Sequence, residues 1–379
     1  MTLPLEGIRI LDSAHQYPGP YCSMLLSDLG AEVIKIEQPG RCDTARRLSG
    51  FFNAINRGKK SITLDLKKEQ ARGIFHRLVK TADVVTEGFR PGVANRIGMD
   101  YPTLEAINPR IICCSISGFG QTGPYRDLPG HDLNYQALSG MLRAFTDSTG
   151  NPIHPKVAVG DLSSGMFAVI GILSALASRE KTGKGQHVDV SMFSGLLSWM
   201  STAMGIHRDT GKPFRVYDPG YGIYRGSDGT PFTLGIAHED WFWERLCTAL
   251  GLDELKSMTN PQRTAKKEAL AQKLQDVFST RTAEEWIDLL TQADVPVARI
   301  QNPQDLVNDP HVKDQNLIQE MVNPFGERSL QVAFPVKLSK TPALMQGPPP
   351  VLGQDNGEVL KGLGYKKTEI DEFKKFGVI

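Results

Sequence analysis

Apolar positions recur along this chain with two periods that take turns. Ile8-Arg9-Ile10-Leu11-Asp12 is a short β-rich run, and Val33-Ile34-Lys35-Ile36-Glu37 is a second. Between them Pro18-Gly19-Pro20 forms a turn that also suits a helix start, and Cys22, Met24, Leu25, Leu26 and Leu29 follow at helical spacing. Strand, turn, helix, strand is the order of a βαβ unit with parallel strands, a dinucleotide-fold-like start. The order repeats: residues 61–66 read as a strand, 68–81 as a helix, Val84-Val85 as a buried strand, 93–108 as mostly helix and 111–116 as a strand. A glycine-rich loop runs from Gly118 to Pro124, and His131 to Leu142 then leads into a helix. Residues 161–180 are the longest apolar periodic segment, followed by a turn at 179–185, a strand at 187–192 and a helix at 193–206.

The texture changes near residue 222, where a short strand (232–236) mixes with amphipathic helices at 240–250, 264–278 and 282–293. Beyond residue 330 the chain is rich in proline and glycine, notably Pro348-Pro349-Pro350, and closes on a helix near 367–375. The pattern predicts an α/β protein with a large domain in residues 1–221, a smaller α+β domain in 222–329, and a linker with a C-terminal helix in 330–379. No internal repeat is visible.

Composition narrows the classes of function. The 379 residues are 40% hydrophobic and 22% charged, ordinary for a globular protein, and the net charge is +1. A nucleic-acid binder working through bulk charge normally carries a basic domain or stripe, so no nucleic-acid partner is expected. A small basic pocket for an anionic cofactor remains compatible with that charge. Thr2-Leu3-Pro4-Leu5-Glu6 has neither a basic nor an apolar leader region, so no signal peptide is expected. We find no run of about 18 apolar residues, so no transmembrane helix and no membrane partner are expected. The five cysteines, at 22, 42, 113, 114 and 247, match no metal motif; reduced thiols and no metal are expected. The first βα turn lacks Gly-x-Gly-x-x-Gly, which argues against a nucleotide-dependent oxidoreductase.

Seven stretches in order resemble the class III CoA-transferase family, which includes formyl-CoA and carnitine CoA-transferases and the α-methylacyl-CoA racemases. They are Leu26 to Glu37 (LSDLGAEVIKIE), Asn56 to Ser61 (NRGKKS), Gly88 to Gly92 (GFRPG), Gly118-Phe119-Gly120, Gly130 to Tyr135 (GHDLNY), Gly160 to Gly165 (GDLSSG) and Thr182 to Gln186 (TGKGQ). Each alone is weak; their order over nearly the whole chain is specific. The resemblance implies a cytoplasmic enzyme and a Rossmann-like parallel sheet that holds coenzyme A. It also implies a chain that crosses to a small domain and returns, and a homodimer of two interlocked subunits.

The resemblance makes Asp161 the catalytic aspartate. Read from its neighbours alone, Asp161 precedes an apolar helix, where a carboxylate is favoured by the free N–H groups and also suits an N-cap. For a transferase the carboxylate is a nucleophile toward an acyl-CoA thioester, forming an aspartyl anhydride and then an aspartyl-CoA thioester before CoA passes to a carboxylic acid. Gln16 matches a position close to the thioester. In the racemases the Gly-His-Asp-x-Asn-Tyr motif supplies a catalytic histidine, here His131, opposite the aspartate; inversion at an α-carbon needs an acid and a base on opposite faces. Glu239, before Trp241-Phe242-Trp243, aligns after one insertion with a glutamate that supports that histidine. The Asn56 to Ser61 stretch, Gln136-Ala137 and the proline-rich tail look more like transferases, which makes the transferase the first reading and the racemase the alternative. Pro219-Gly220-Tyr221-Gly222 replaces the tetraglycine loop of formyl-CoA transferase, against a formyl or oxalyl substrate. An inactive CoA-binding subunit is a third class, which the presence of Asp161 opposes.

For CoA the motif positions imply Gly88, Phe89 and Arg96 at the adenine and phosphate end, with Tyr17, Leu64 and Met192 also against the cofactor. The arginine often found after the second strand is Gln38 here, so one phosphate contact falls to Arg41 or Lys59. Tyr221, Tyr224, Trp241 and Trp243 are candidates to frame an acyl chain, or core residues of the second domain.

Overall fold

The computed structural model describes residues 2–147, 149–211, 218–323 and 325–379. Its contacts divide the chain into two units: residues 1–201 with 314–379, and residues 202–313. The sequence pattern places these boundaries later, at 221/222 and 329/330.

In the first unit six strands form one parallel sheet: β1 (Arg9–Asp12), β2 (Glu32–Glu37), β3 (Lys59–Thr63), β4 (Val84–Glu87), β5 (Ile112–Ser117) and β6 (His187–Ser191), in the order β3-β2-β1-β4-β5-β6. The order reverses between β1 and β4, the switch point at whose carboxyl end ligands bind in open α/β sheets. Strand neighbours face opposite ways. Leu11, Ile34 and Val85 enter a core with α3 (Glu69–Val79), while Ile10, Val33 and Val84 enter a second core with α1 (Pro18–Asp28) and α7 (Val159–Thr182). Both faces are covered, which is why these strands read as continuous apolar runs.

Shorter helices fill the connections: α2 (Ser49–Ala54), α4 (Val93–Arg96), α5 (Tyr101–Ile107), α6 (Asp132–Leu138) and α8 (Met192–Trp199), while α9 (Ser201–Thr210) begins the second unit. The helical stretch expected over 93–108 is two helices, because Gly98 takes φ +71° and Asp100 starts α5 as an N-cap, accepting from the Thr103 N–H. Helix α7 is the one described helix long and apolar enough, by length and composition, to cross a membrane, a segment the sequence reading did not count. Its Ala168, Ile172 and Ala175 are buried against α1 and the sheet, while Met166 and Ile170 of the same helix are exposed. Gly165 allows the close approach: a Cβ there would lie 2.8 Å from the Pro18 carbonyl oxygen.

The second unit holds an antiparallel sheet of β7 (Tyr221–Arg225), β8 (Pro231–Gly235) and β9 (Val297–Arg299), with α10 (Asp240–Leu250), α11 (Asn260–Ala265), α12 (Lys267–Phe278) and α13 (Ala283–Gln292). The stretch that replaces the tetraglycine loop leads directly into β7, and Gly222 is a strand residue. Trp243 and Tyr224 are buried in this unit's core, whereas Tyr221 and Trp241 are exposed.

After α14 (Pro310–Asp314) the return segment is more structured than a linker. It forms a hairpin of β10 (Ile318–Val322) and β11 (Arg328–Val332), then α15 (Asn356–Gly362) and α16 (Lys367–Lys375). Buried Arg57 makes a paired contact to Asp28 and donates to Gln331 of β11 at 3.1 Å, while Asn356 accepts from the Thr63 N–H at 2.8 Å. These bonds tie the return segment to β3 and to the residue Arg57 before it.

Candidate active site

A cavity of about 500 Å³ opens at the carboxyl ends of β1, β4 and β5, at the switch point. The loop after β1 contributes His15, Gln16 and Tyr17, the loop after β4 Gly88, Phe89 and Arg90, and the loop after β5 Gly118 and Phe119. Arg96, Arg126, His131, Tyr135, Asp161 and Met192 complete the wall. Pro18 and Pro20 remove two N–H donors from the start of α1, so this turn builds no phosphate cradle of the dinucleotide kind.

Asp161 lies in the first turn of α7, whose N-cap is Ala158, so Asp161 is not the cap. The capping acceptor comes from elsewhere in the chain. Asp132, the first residue of α6, takes the N–H groups of Gly160 (2.6 Å) and Asp161 (3.2 Å) on Oδ1, and the Gln136 amide on Oδ2 (2.5 Å). Gly160 makes this possible, since a Cβ there would sit 2.9 Å from that same oxygen. Burial, and then the nearby Asp132 charge, push the Asp161 carboxyl up to about 7. Burial and then the Asp161 charge also push up the hydroxyls of Tyr17 and Tyr135, which line the same cavity. The Tyr135 hydroxyl donates to the Gly130 carbonyl at 2.6 Å, and its ring fills the space where a Cβ on Gly118 or Gly130 would go.

His131 is exposed and is the N-cap of α6; its backbone N–H donates to Asn134 Oδ1 at 3.0 Å. Gln16 holds φ +66°, and its side-chain amide donates to the Thr44 hydroxyl. Glu239 belongs to the second unit. There it is the N-cap of α10, and its carboxylate accepts from the Ala237 and His238 N–H groups at 2.9 and 3.0 Å.

A second cavity of about 180 Å³ lies in the same unit, lined by Leu64, Gln38, Arg41 and Lys67 among others, and shares His15 and Phe89 with the first. Of the residues expected to meet CoA, Tyr17, Gly88, Phe89, Arg96 and Met192 line the large cavity, and Leu64 and Phe89 the small one. Lys59 lines neither. Its ammonium is fully buried, donating to Pro20, Asn56 and Asp12 at 2.9, 2.8 and 3.1 Å, so of the two proposed phosphate contacts only Arg41 faces a cavity. Sequence reasoning did not single out Asp132, Tyr135, Arg90 or Arg126. The first two were visible only as letters of the Gly130 to Tyr135 motif.

The Asp132–Asp161 pair predicts a pH effect. The nucleophile role expected for Asp161 needs it deprotonated, so in that role kcat/KM should rise with pH through a limb near 7. Asp132→Asn keeps an oxygen for the α7 N–H groups but removes the charge, so the limb should move to lower pH; a limb that stays in place would show Asp132 is not its cause. The same shift acts on stability. Folded Asp161 keeps its proton to higher pH than the ordinary 3.8, so its contribution is full at low pH and is lost as pH rises through about 7.

The profile of CoA-transferase family III matches residues 5–356. The chain is 39% identical over 337 residues to an acetyl-CoA:oxalate CoA-transferase of Acetobacter aceti, covering 83% of this chain and 85% of that protein. It is 32% identical over 395 residues to the human succinyl-CoA:glutarate CoA-transferase, covering 99% and 90%. A crystal structure of a CAIB/BAIF family protein from Brucella suis superposes with a TM-score of 0.85 at 32% identity, covering 96% of this chain and all of that one.

Proposed function

The chain belongs to CoA-transferase family III, and on that premise we propose that it moves CoA from an acyl-CoA to a carboxylic acid through covalent intermediates on Asp161. The observation that carries this reading is the place of Asp161, in the first turn of α7 and in the wall of the large cavity at the switch point of the sheet, where burial and Asp132 push its carboxyl up. The Asp161 carboxylate attacks the thioester carbonyl and CoA thiolate leaves, giving a mixed anhydride. The thiolate then attacks the aspartyl carbonyl, releasing the first acid and leaving an aspartyl-CoA thioester. The acceptor carboxylate attacks that thioester, and the thiolate finally takes the acceptor acyl group and frees Asp161. Each addition develops an oxyanion, for which the Gln16 side-chain amide keeps one N–H beside the one it gives to Thr44.

CoA spans the two cavities that His15 and Phe89 join, with Arg96, Arg41 and Lys67 as cations for its phosphates. The acid partner is a dicarboxylate. Glutarate, in the name of one relative, carries two carboxylates, and Arg90 and Arg126 line the wall of the large cavity, Arg126 beside Asp127. The enzyme is a cytoplasmic homodimer in this reading; exposed Met166 and Ile170 on α7 support a second copy. A racemase is the second reading, favoured by His131 sharing the cavity with Asp161.

The test is a panel of acyl-CoA donors and mono- and dicarboxylic acceptors, with products separated by chromatography. A new CoA thioester of the acceptor is expected, together with an Asp161 hydroxamate when hydroxylamine is added during turnover. Hydrolysis alone, or no acceptor thioester across the panel, would sink the transferase.

A further inference from the structure

Four described non-glycine residues take positive φ: Gln16, Lys156, Asp294 and Asn316. Only Gln16 lines either cavity. A non-glycine residue keeps that conformation when its surroundings enforce it, and such residues gather at functional sites. Here the enforcing groups are identifiable. The Gln16 N–H donates to Asp43 Oδ1 at 3.0 Å, and the same oxygen takes the Ala45 N–H at 3.0 Å. The other oxygen, Oδ2, pairs with Lys35 Nζ at 3.0 Å, and both side chains are completely buried. Lys35 Nζ also donates to the Ala14 carbonyl at 2.9 Å, two residues before Gln16. The pair therefore grips the loop after β1 at positions 14 and 16, from strand β2 and from the loop that follows it.

Stability alone is a weak reason to bury such a pair. Two charges taken out of water lose hydration that their attraction scarcely restores, and apolar replacements of similar volume are often neutral or stabilising. The pair does supply direction: an acceptor fixed in space for one N–H of a strained turn.

We propose that the Lys35–Asp43 pair is a positioning element for acyl transfer, holding the Gln16 turn where Gln16 meets the thioester beside Asp161. The proposal rests on the transferase reading above. Asp43→Asn removes the ion pair with little change in shape, Asp43→Glu moves the acceptor by one methylene, and the double variant Lys35→Met/Asp43→Leu removes both charges. In each that folds, kcat should fall about 10²-fold, as misplacement by about 1 Å can cause, with CoA affinity unchanged. Gln16→Ala should show a similar loss, and adding Asp43→Asn to it should lower kcat no further. Faster hydrogen exchange of the Gln16 amide should accompany the loss.

A folded double variant with wild-type kcat overturns the proposal, and so do losses that multiply between Asp43→Asn and Gln16→Ala. Failure of all three pair variants to fold would make the pair a structural element and overturn it as well. Wild-type protein that moves no CoA to any acid removes the transferase reading and this proposal together. Active wild-type protein beside fully active pair variants removes the proposal alone.

Discussion

Replacing Asp161 with alanine is expected to lower CoA transfer by about 10⁴-fold or more, on the scale of losing a covalent nucleophile, while CoA still binds. The nearby Asp132 cannot substitute, because both its oxygens are committed, one to the start of α7 and one to Gln136. Folding should survive, because no side chain among the described residues bonds the Asp161 carboxylate, and the helix cap beneath it belongs to Asp132. Alanine is also a strong helix former in a first turn. Removing a carboxyl that burial disfavours should leave the variant at least as stable as wild type above pH 7, where the native carboxyl is ionised. Steady-state transfer, calorimetric titration with CoA and thermal unfolding read the three parts separately. Activity above a few per cent of wild type would remove Asp161 from the chemistry. Lost CoA binding would make it a ligand contact instead.

What the sequence made legible follows from how local each signal is. The βαβ order was readable because strands buried on both faces give apolar runs, and the intervening α1 and α3 give 3.6-residue spacing. Asp161 was readable as a helix-start carboxylate, but its cap was not. Asp132 lies 29 residues away, and nothing in the spacing says that α6 delivers it to the first turn of α7. Lys59 shows the opposite error. In the stretch Asn56 to Ser61 it reads as a free cation, yet the fold draws it under the sheet onto Asp12. Burial pushes that ammonium down to about 8, against the pull of Asp12, so the charge is consumed inside the protein. The return segment, rich in proline and glycine, reads as a linker and hides its helix α15, where Asp355 and Asn356 bond the backbone of β3. Each miss concerns a polar side chain whose partner is remote in sequence.

The two readings of the site part at His131. In the transferase the histidine carries no obligatory proton, since every step exchanges a carboxylate and a thiolate at an acyl carbon. His131→Ala should then lower the rate only modestly, through lost contact with the substrate in the large cavity. In a racemase the same residue removes or returns the α-proton on one face, and losing general acid–base help costs about a hundred- to ten-thousand-fold. The exposure of His131 favours the first outcome, because a proton carrier is normally held in place by its surroundings. The direct measurement is exchange. Enzyme is incubated with a 2-methylacyl-CoA in deuterated water without acceptor acid, and the α-position is followed by mass spectrometry. We expect no deuterium uptake there, and CoA transfer once a carboxylic acid is added. Uptake that disappears in His131→Ala would reverse the assignment and make Asp161 a base instead of a nucleophile. The hydroxylamine experiment then provides the cross-check, since a proton-transferring aspartate forms no acyl intermediate for hydroxylamine to capture.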